Sequence, residues 1–309
     1  MKTQPLKRRE FLKTGLKWGA VAVTAPLFSW PQLLQADPAI QYPDLVAIKN
    51  GEPEAMFDRA IEAMGGIQRF VRKGQTVIVK PNIGWAREPE TGANTHPGLV
   101  RRIIEHCLQA GARKVYVFDN TCNNWKACYQ QSQIEAMAKA AGATVAPAHD
   151  ERYYQEITIP GAVTLKKVKV HELIPDCDVF INVPVLKHHG STRLTIAMKN
   201  LMGAVWDRGY YHHRGLHQCI ADFGLYCKPT LNVVDAYRVT TANGPQRARP
   251  EDVKLMRALL ISSDMVAIDA AAAKLFGSDP QTIDYIVMGQ AHKLGEMNLE
   301  RLNIQRLTL

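Results

Sequence analysis

Hydrophobic residues in this chain fall into short continuous runs separated by stretches of helical period. Residues 45–49, 76–79, 114–118, 179–183, 231–234 and 259–261 are apolar runs rich in β-branched side chains, the pattern of strands buried on both faces. Between them the period changes. Met56, Ala60, Ile61 and Met64 share one face of a predicted helix over 53–64 that Gly65-Gly66 closes, and Pro97 opens another that runs to about 109 and stops at Gly111. Residues 132–141, 212–226, 265–276 and 280–290 complete the predicted helices, and 144–145 starts a short strand. Residues 156–170 read as a β excursion turning at Pro160-Gly161. Strands alternating with helices imply right-handed crossovers. The expected fold is therefore α/β, a mainly parallel sheet with helices on both faces, in one or two lobes with a small β excursion.

The strand exits draw attention next, because ligands of open α/β sheets bind beyond the carboxyl ends of the strands. Four apolar runs end in polar clusters: Lys80 with Asn82, Asp119 with Asn120, Lys187 through His189, and Asp235. Lys80, Lys187, His188 and Lys199 are the candidate catalytic groups. A lysine among other cations has a lowered pKa and can serve as a base, and histidine titrates near neutrality. Asn82, Thr95, Asn182 and Asn200 are the candidates for orienting a substrate, Thr95 standing just before a helix start with unpaired N–H groups. No G-x-G-x-x-G, G-x-x-x-x-G-K-[ST] or G-x-S-x-G motif occurs, so the usual dinucleotide, phosphate-loop and acyl-transfer signatures are missing.

Histidines cluster between positions 188 and 217. His213 and His217 are four apart in a predicted helix, a spacing that clasps one metal ion, and His189 supplies a loop ligand. Asp222 or Asp235 would serve as carboxylate ligand or supporting partner. Asp264, after Ser262-Ser263, reads as a helix N-cap, whereas Asp269 lies inside a predicted helix and needs a partner. Of the six cysteines, Cys122 with Cys128 and Cys219 with Cys227 are pairs that could form local disulfides, remain thiols, or converge on one 4Fe-4S cluster.

The composition is that of a folded globular chain: 309 residues, 46% hydrophobic and 22% charged. The formal charge of +9 comes largely from residues 1–36, which hold six Lys or Arg against one acid. The rest is too mildly basic to argue for nucleic acid. The leader sets a basic stretch before a short, weakly apolar run, the layout of an export signal rather than of a membrane span. Lys7-Arg8-Arg9-Glu10-Phe11-Leu12-Lys13 resembles the twin-arginine export motif. That likeness implies passage of the folded chain through the twin-arginine machinery to the periplasm. It implies a signal over 1–36 and a mature domain over 37–309, with membrane contact only through an uncleaved leader. The route suits chains that load a metal or cluster before export.

Seven segments, in order, carry a wider likeness: KPNIG at Lys80, THPGLVRRIIEHCLQAGARKVYVFDN from Thr95, INVPVLKHHG at Ile181, LTIAMKNLMG at Leu194, LNVVDAYRV at Leu231, NGPQ at Asn243 and ISSDMVAIDAAAAKLFG at Ile261. Together they resemble the domain of unknown function 362 family, in its exported single-domain branch. Many of that family's members add a cysteine-rich ferredoxin-like module, and this chain has no C-x-x-C. A fainter likeness of layout links the family to the nickel-cofactor 2-hydroxy-acid racemases. The expectation is an exported metal- or cofactor-dependent enzyme acting on a small anionic ligand by proton transfer, isomerisation or lyase chemistry. The alternative is a non-catalytic iron–sulfur or metal carrier for an exported redox system.

Overall fold

The computed structural model describes residues 41–245 and 247–309, and residues 42–309 form one unit. The leader, and with it the export reading, lies outside the described residues. In chain order the strands are β1 (Leu45–Lys49), β2 (Thr76–Pro81), β3 (Lys114–Val117), β4 (Thr144–Val145), β5 (Tyr154–Thr158), β6 (Lys167–His171), β7 (Val179–Val183), β8 (Lys187–His189), β9 (Arg193–Thr195), β10 (Leu231–Thr240), β11 (Val253–Ser262) and β12 (Ile304–Thr308). The helices are α1 (Pro53–Ala63), α2 (Pro97–Gln109), α3 (Trp125–Gln131), α4 (Ile134–Ala140), α5 (Leu173–Asp176), α6 (Ala197–Asn200), α7 (Gly209–Arg214), α8 (Leu216–Tyr226), α9 (Met265–Phe276) and α10 (Asp284–Ala291).

Eight strands form the central sheet in the order β12-β1-β11-β10-β7-β2-β3-β4. Only β11 runs antiparallel to its neighbours; the other pairings are parallel. The α/β expectation holds. β5 and β6 pair as a separate hairpin, which is the β excursion.

Side-chain alternation divides the buried residues between two layers. Val77, Val79, Val179, Ile181 and Val183 face one layer with α1, α2 and α4. Ile78 and Phe180 face the other, filled by α6, α8, α9 and α10. The same alternation puts Lys80 and Asn182 on the second face, and register extends that row. Lys80 pairs with Asn182, Asn182 with Asn232, and Asn232 with Ser262. A polar row thus crosses four adjacent strands inside a layer that is otherwise apolar, and each member must find a partner there.

Some boundaries differ from the sequence expectation. β10 and β11 are each ten residues long and continue as a hairpin beyond the rest of the sheet. Residues 212–226 are not one helix. Gly215, at φ 121°, separates α7 from α8. His188 and His189 do not lie in a loop, because Lys187–His189 pairs with Arg193–Thr195 as a short hairpin.

Candidate anion-binding cavity

Three asparagines and a lysine, Asn182, Asn200, Asn82 and Lys187, extend the polar row into the floor of a cavity. Asn182 donates from Nδ2 to Ala197 O and to Asn232 Oδ1, each at 3.0 Å, and accepts from Asn200 Nδ2 at 2.8 Å. Asn200 Oδ1 accepts from Asn82 Nδ2 at 2.9 Å, and Asn82 Oδ1 accepts from Lys187 Nζ at 2.9 Å. The amides form one directed ladder, so each asparagine's orientation is set by its neighbour. Asn200 belongs to α6, a single helical turn. Asp269 of α9 holds the start of that turn, accepting from Ala197 N at 2.6 Å and from Met198 N at 3.0 Å. Asp269 is wholly buried, and burial raises its pKa to about 8. The need for a partner is met by helix capping.

Above this floor opens a cavity of about 540 Å³. Asn82, Asp119, Asn120, Lys187, His189 and Asn200 line it, as do Cys122, Lys199, Arg208, His212 and Arg247. Strand exits far apart in sequence therefore converge. Asp119 is neutralised from behind. Lys80 Nζ lies 2.8 Å from Asp119 Oδ1, and Asp119 Oδ2 accepts from Ile83 N at 2.6 Å. Among the described residues the cations facing the cavity have no such carboxylate partner. Arg208 donates to Asn120 O at 2.8 Å and to Thr121 O, and its Nη1 lies 3.2 Å from Cys122 Sγ. Lys187 donates to Asn82 Oδ1 and Ala93 O. Among the described residues Lys199 has only the Met202 sulfur, at 3.7 Å, and is 9% exposed.

This crowding governs protonation. Burial lowers Lys187 to about 7 and Lys199 to about 8. His189 falls to about 2, first through burial and then through repulsion from Lys199 and Lys187. Its Nδ1 accepts from Ser191 N at 3.1 Å, so the neutral ring carries its proton on Nε2 and is a donor. Burial, reinforced by Lys199, also lowers His212. The cavity is an electropositive, donor-rich site with two lysines, Lys187 and Lys199, poised to change charge near neutral pH.

The sequence candidates separate accordingly. Lys187, Lys199, Asn82, Asn200, His189 and Cys122 line the cavity. Lys80 and Asn182 lie beneath it, fully buried and partnered. Thr95 is a staple: it donates to Val183 O at 2.6 Å and accepts from Asn82 N at 2.8 Å. His188 lies on β8 between two cavity residues, so alternation turns it away from them. His213 and His217 fall on different helices because Gly215 intervenes, so their spacing of four no longer gives a common face. His217 Nε2 instead meets Ser191 O at 3.2 Å. Among the described residues no three His, Cys, Asp or Glu side chains come together as a group that could hold a metal ion. The trio His189, His213 and His217 is therefore not assembled.

The cysteines likewise form no ligand group. All six are free thiols; Cys128, Cys219 and Cys227 are buried, and Cys122 is exposed. Asp222 is a loop clamp, accepting from Val163 N, Thr164 N and Leu165 N, and Asp235 accepts from His96 N and Tyr237 N. Asp264 caps α9 as expected, accepting from Val266 N and Ala267 N. Arg208, His212 and Arg247 were not legible as site residues. None stands at a strand exit; turn chemistry around Asp207-Arg208-Gly209 marks the neighbourhood of Arg208, the histidine cluster that of His212, and Asn243-Gly244-Pro245 that of Arg247.

Known proteins resemble the chain at several levels. A thylakoid-associated protein of Synechocystis sp. is 24% identical over 243 residues, spanning 76% of this chain and 73% of that protein. The lactate racemase apoprotein from Thermoanaerobacterium thermosaccharolyticum aligns with a TM-score of 0.46 at 13% identity, over 74% of this chain; the chain spans 56% of that protein's length. Residues 77–274, which include every residue that lines the cavity, match the family described as Domain of unknown function (DUF362), and the chain belongs to that family.

Proposed function

We propose that the chain is an enzyme that binds a small anionic substrate in this cavity and uses Lys199 to move a proton. The observation that carries the reading is the state of Lys199. A nearly buried ammonium with only a thioether for a partner is unfavourable by itself. An anion beside it supplies the missing charge and acceptor. The planar guanidinium of Arg208 would hold the anion, with the Nε2–H of His189 as a further donor. Lys199 would exchange a proton with the substrate, because its lowered pKa lets both forms be populated near neutrality. Proton transfer at a carbon beside a carboxylate, as in isomerisation or a lyase step, fits this set of groups.

Calorimetric titration with sulfate and acetate tests the binding half. Wild-type protein is expected to bind at least one of them, and Lys199→Met to lose about tenfold in affinity, the equivalent of about 1.4 kcal/mol. Incubation in D₂O with a panel of 2-hydroxy, 2-oxo and 2-amino acids tests the chemistry by deuterium wash-in. Affinity unchanged by Lys199→Met would refute the assignment.

A further inference from the structure

Cys122 stands apart from the other cysteines. It is the one exposed thiol among the six; Cys107, Cys128, Cys219 and Cys227 are buried and Cys177 is half-buried. It also lines the cavity with Lys199 and Arg208. Its backbone is fixed, because Cys122 N donates to Gly84 O at 2.8 Å. Its sulfur lies 3.2 Å from Arg208 Nη1, which also donates to Asn120 O, while Nη2 donates to Thr121 O. Arg208 therefore reaches the sulfur and the cavity at once. The independent sign of a ligand is Lys199, nine-tenths buried and without an oxygen partner in the same cavity. Cys128, the nearest cysteine in sequence, is buried with its sulfur 3.8 Å from Gly84 O and does not line the cavity.

We propose that Cys122 is the nucleophile of this cavity and attacks a small carboxylate that carries an electrophilic carbon. The inference rests on the anion-binding reading given above. Arg208 would hold the carboxylate beside the sulfur. The bond from Sγ to the electrophilic carbon forms as that carbon's bond to its leaving group breaks. The leaving group departs with the electron pair, and the thiol proton passes to Lys199 in its neutral form. No oxidant or reductant is required. This adds to proton transfer by Lys199 a covalent partner that shares its cavity, the pairing of nucleophile and base on which covalent catalysis depends.

Iodoacetate is the probe, since it is a carboxylate with an electrophilic carbon, and iodoacetamide is its neutral control. Both alkylate sulfur with loss of iodide. Full-length folded protein is treated with each, and the rate at every cysteine is read by peptide mass spectrometry. Cys122 is expected to react before the other five. Its iodoacetate-to-iodoacetamide rate ratio should exceed that of free cysteine by about tenfold or more, because a cationic cavity concentrates the anion. That excess should shrink as salt rises toward about 1 M, a readout that needs no variant. Sulfate should slow iodoacetate labelling. Arg208→Gln should lose the preference and Arg208→Lys should keep part of it. A ratio equal to that of free cysteine, or Cys122 labelling no faster than the buried thiols, overturns the proposal. Sulfate titration separates the two ideas. Binding that persists with an inert Cys122 removes the nucleophile and leaves the anion site. Loss of both removes the anion reading as well.

Discussion

Lys80 Nζ and Asp119 Oδ1 lie 2.8 Å apart, with the lysine fully buried and the aspartate 3% exposed. The pair is close against Gly203, where a Cβ would fall 1.7 Å from Asp119 Oδ1 and 2.7 Å from Lys80 Nζ. Gly203 is therefore a space requirement of the ion pair. Burial lowers the Lys80 pKa, and Asp119 opposes that shift by charge and hydrogen bond. Breaking a buried pair leaves an uncompensated charge, at a cost of about 3–5 kcal/mol. Asp119→Asn and Gly203→Ala are each expected to destabilise the fold by about that amount in urea denaturation. The double variant Lys80→Met/Asp119→Leu should lose less than Asp119→Asn alone. A larger loss in the double variant would show that the pair supplies more than mutual neutralisation.

The asparagine ladder gives a second prediction. Asn182→Ala removes the acceptor of Asn200 and the donor to Ala197 O and Asn232 Oδ1. Each buried polar group left unpaired costs about 1–3 kcal/mol. The expected loss is roughly 3 kcal/mol, together with weaker sulfate binding, because Asn200 and Asn82 line the cavity and depend on the same ladder. An Asn182→Ala protein with wild-type stability would mean that the amides find other partners. Sulfate affinity that is unchanged despite the lost stability would mean the ladder supports the fold but not the cavity.

Much of this was legible in the sequence, and the reason is periodicity. Continuous apolar runs identified the buried strands, and their exits pointed to Asn82, Lys187 and His189. The resemblance segments span the same positions. What stayed hidden needs three dimensions. The sequence does not say that Gly215 ends α7, so His213 and His217 were expected to share a face. Nor does it show that His188 sits at the middle position of a three-residue strand, turned away from the cavity that its neighbours line. Arg208 and His212 enter the site from a turn and a short helix packed against α8, where the histidine cluster is visible but its direction is not. Lys80 looked like Lys187 in sequence, each closing an apolar run. Only its contact with Asp119 separates a cation held by a carboxylate from one that faces the cavity.

Asp269 yields a pH prediction for stability. Its folded pKa is raised from 3.8 to about 8 by burial, against the opposing hydrogen bonds from Met198 N and Ala197 N. The folded chain then holds a proton that the unfolded chain has released. Its contribution is greatest below pH 3.8 and declines as pH rises toward about 8, by at most about 1.4 kcal/mol per unit. Asp269→Asn removes this titration, so the gap between wild type and variant should narrow from pH 5 to pH 8 in urea melts. The variant should also be less stable at pH 5, because the amide sets a donor NH₂ against Ala197 N or Met198 N, where the protonated acid still presents an oxygen to each. A gap that stays constant with pH would place the proton elsewhere.

Lys199 yields the matching prediction for binding. Its pKa is lowered from 10.5 to about 8, burial being the main cause and Arg208 adding to it, while Cys122 acts the other way. The cation that would attract an anion is present below about pH 8 and disappears above it. Affinity for sulfate, which does not titrate in this range, should be highest on the acid side and fall as pH passes through about 8. A bound anion favours the charged lysine, so the midpoint measured in the complex should lie above that of the free protein. Lys199→Arg keeps its charge throughout and should extend binding to higher pH, whereas Lys199→Met should bind weakly with no step near pH 8. His189 contributes no step of its own, since its pKa of about 2 leaves it neutral across the range, whereas Lys187, lowered to about 7 in the same cavity, adds an earlier fall that Lys199→Met should keep. Calorimetric titrations of the three proteins from pH 6 to pH 10 decide the matter. A wild-type profile with no fall near pH 8, or one whose fall near pH 8 Lys199→Met keeps, would move the anion's charge partner from Lys199 to the other cations of the cavity.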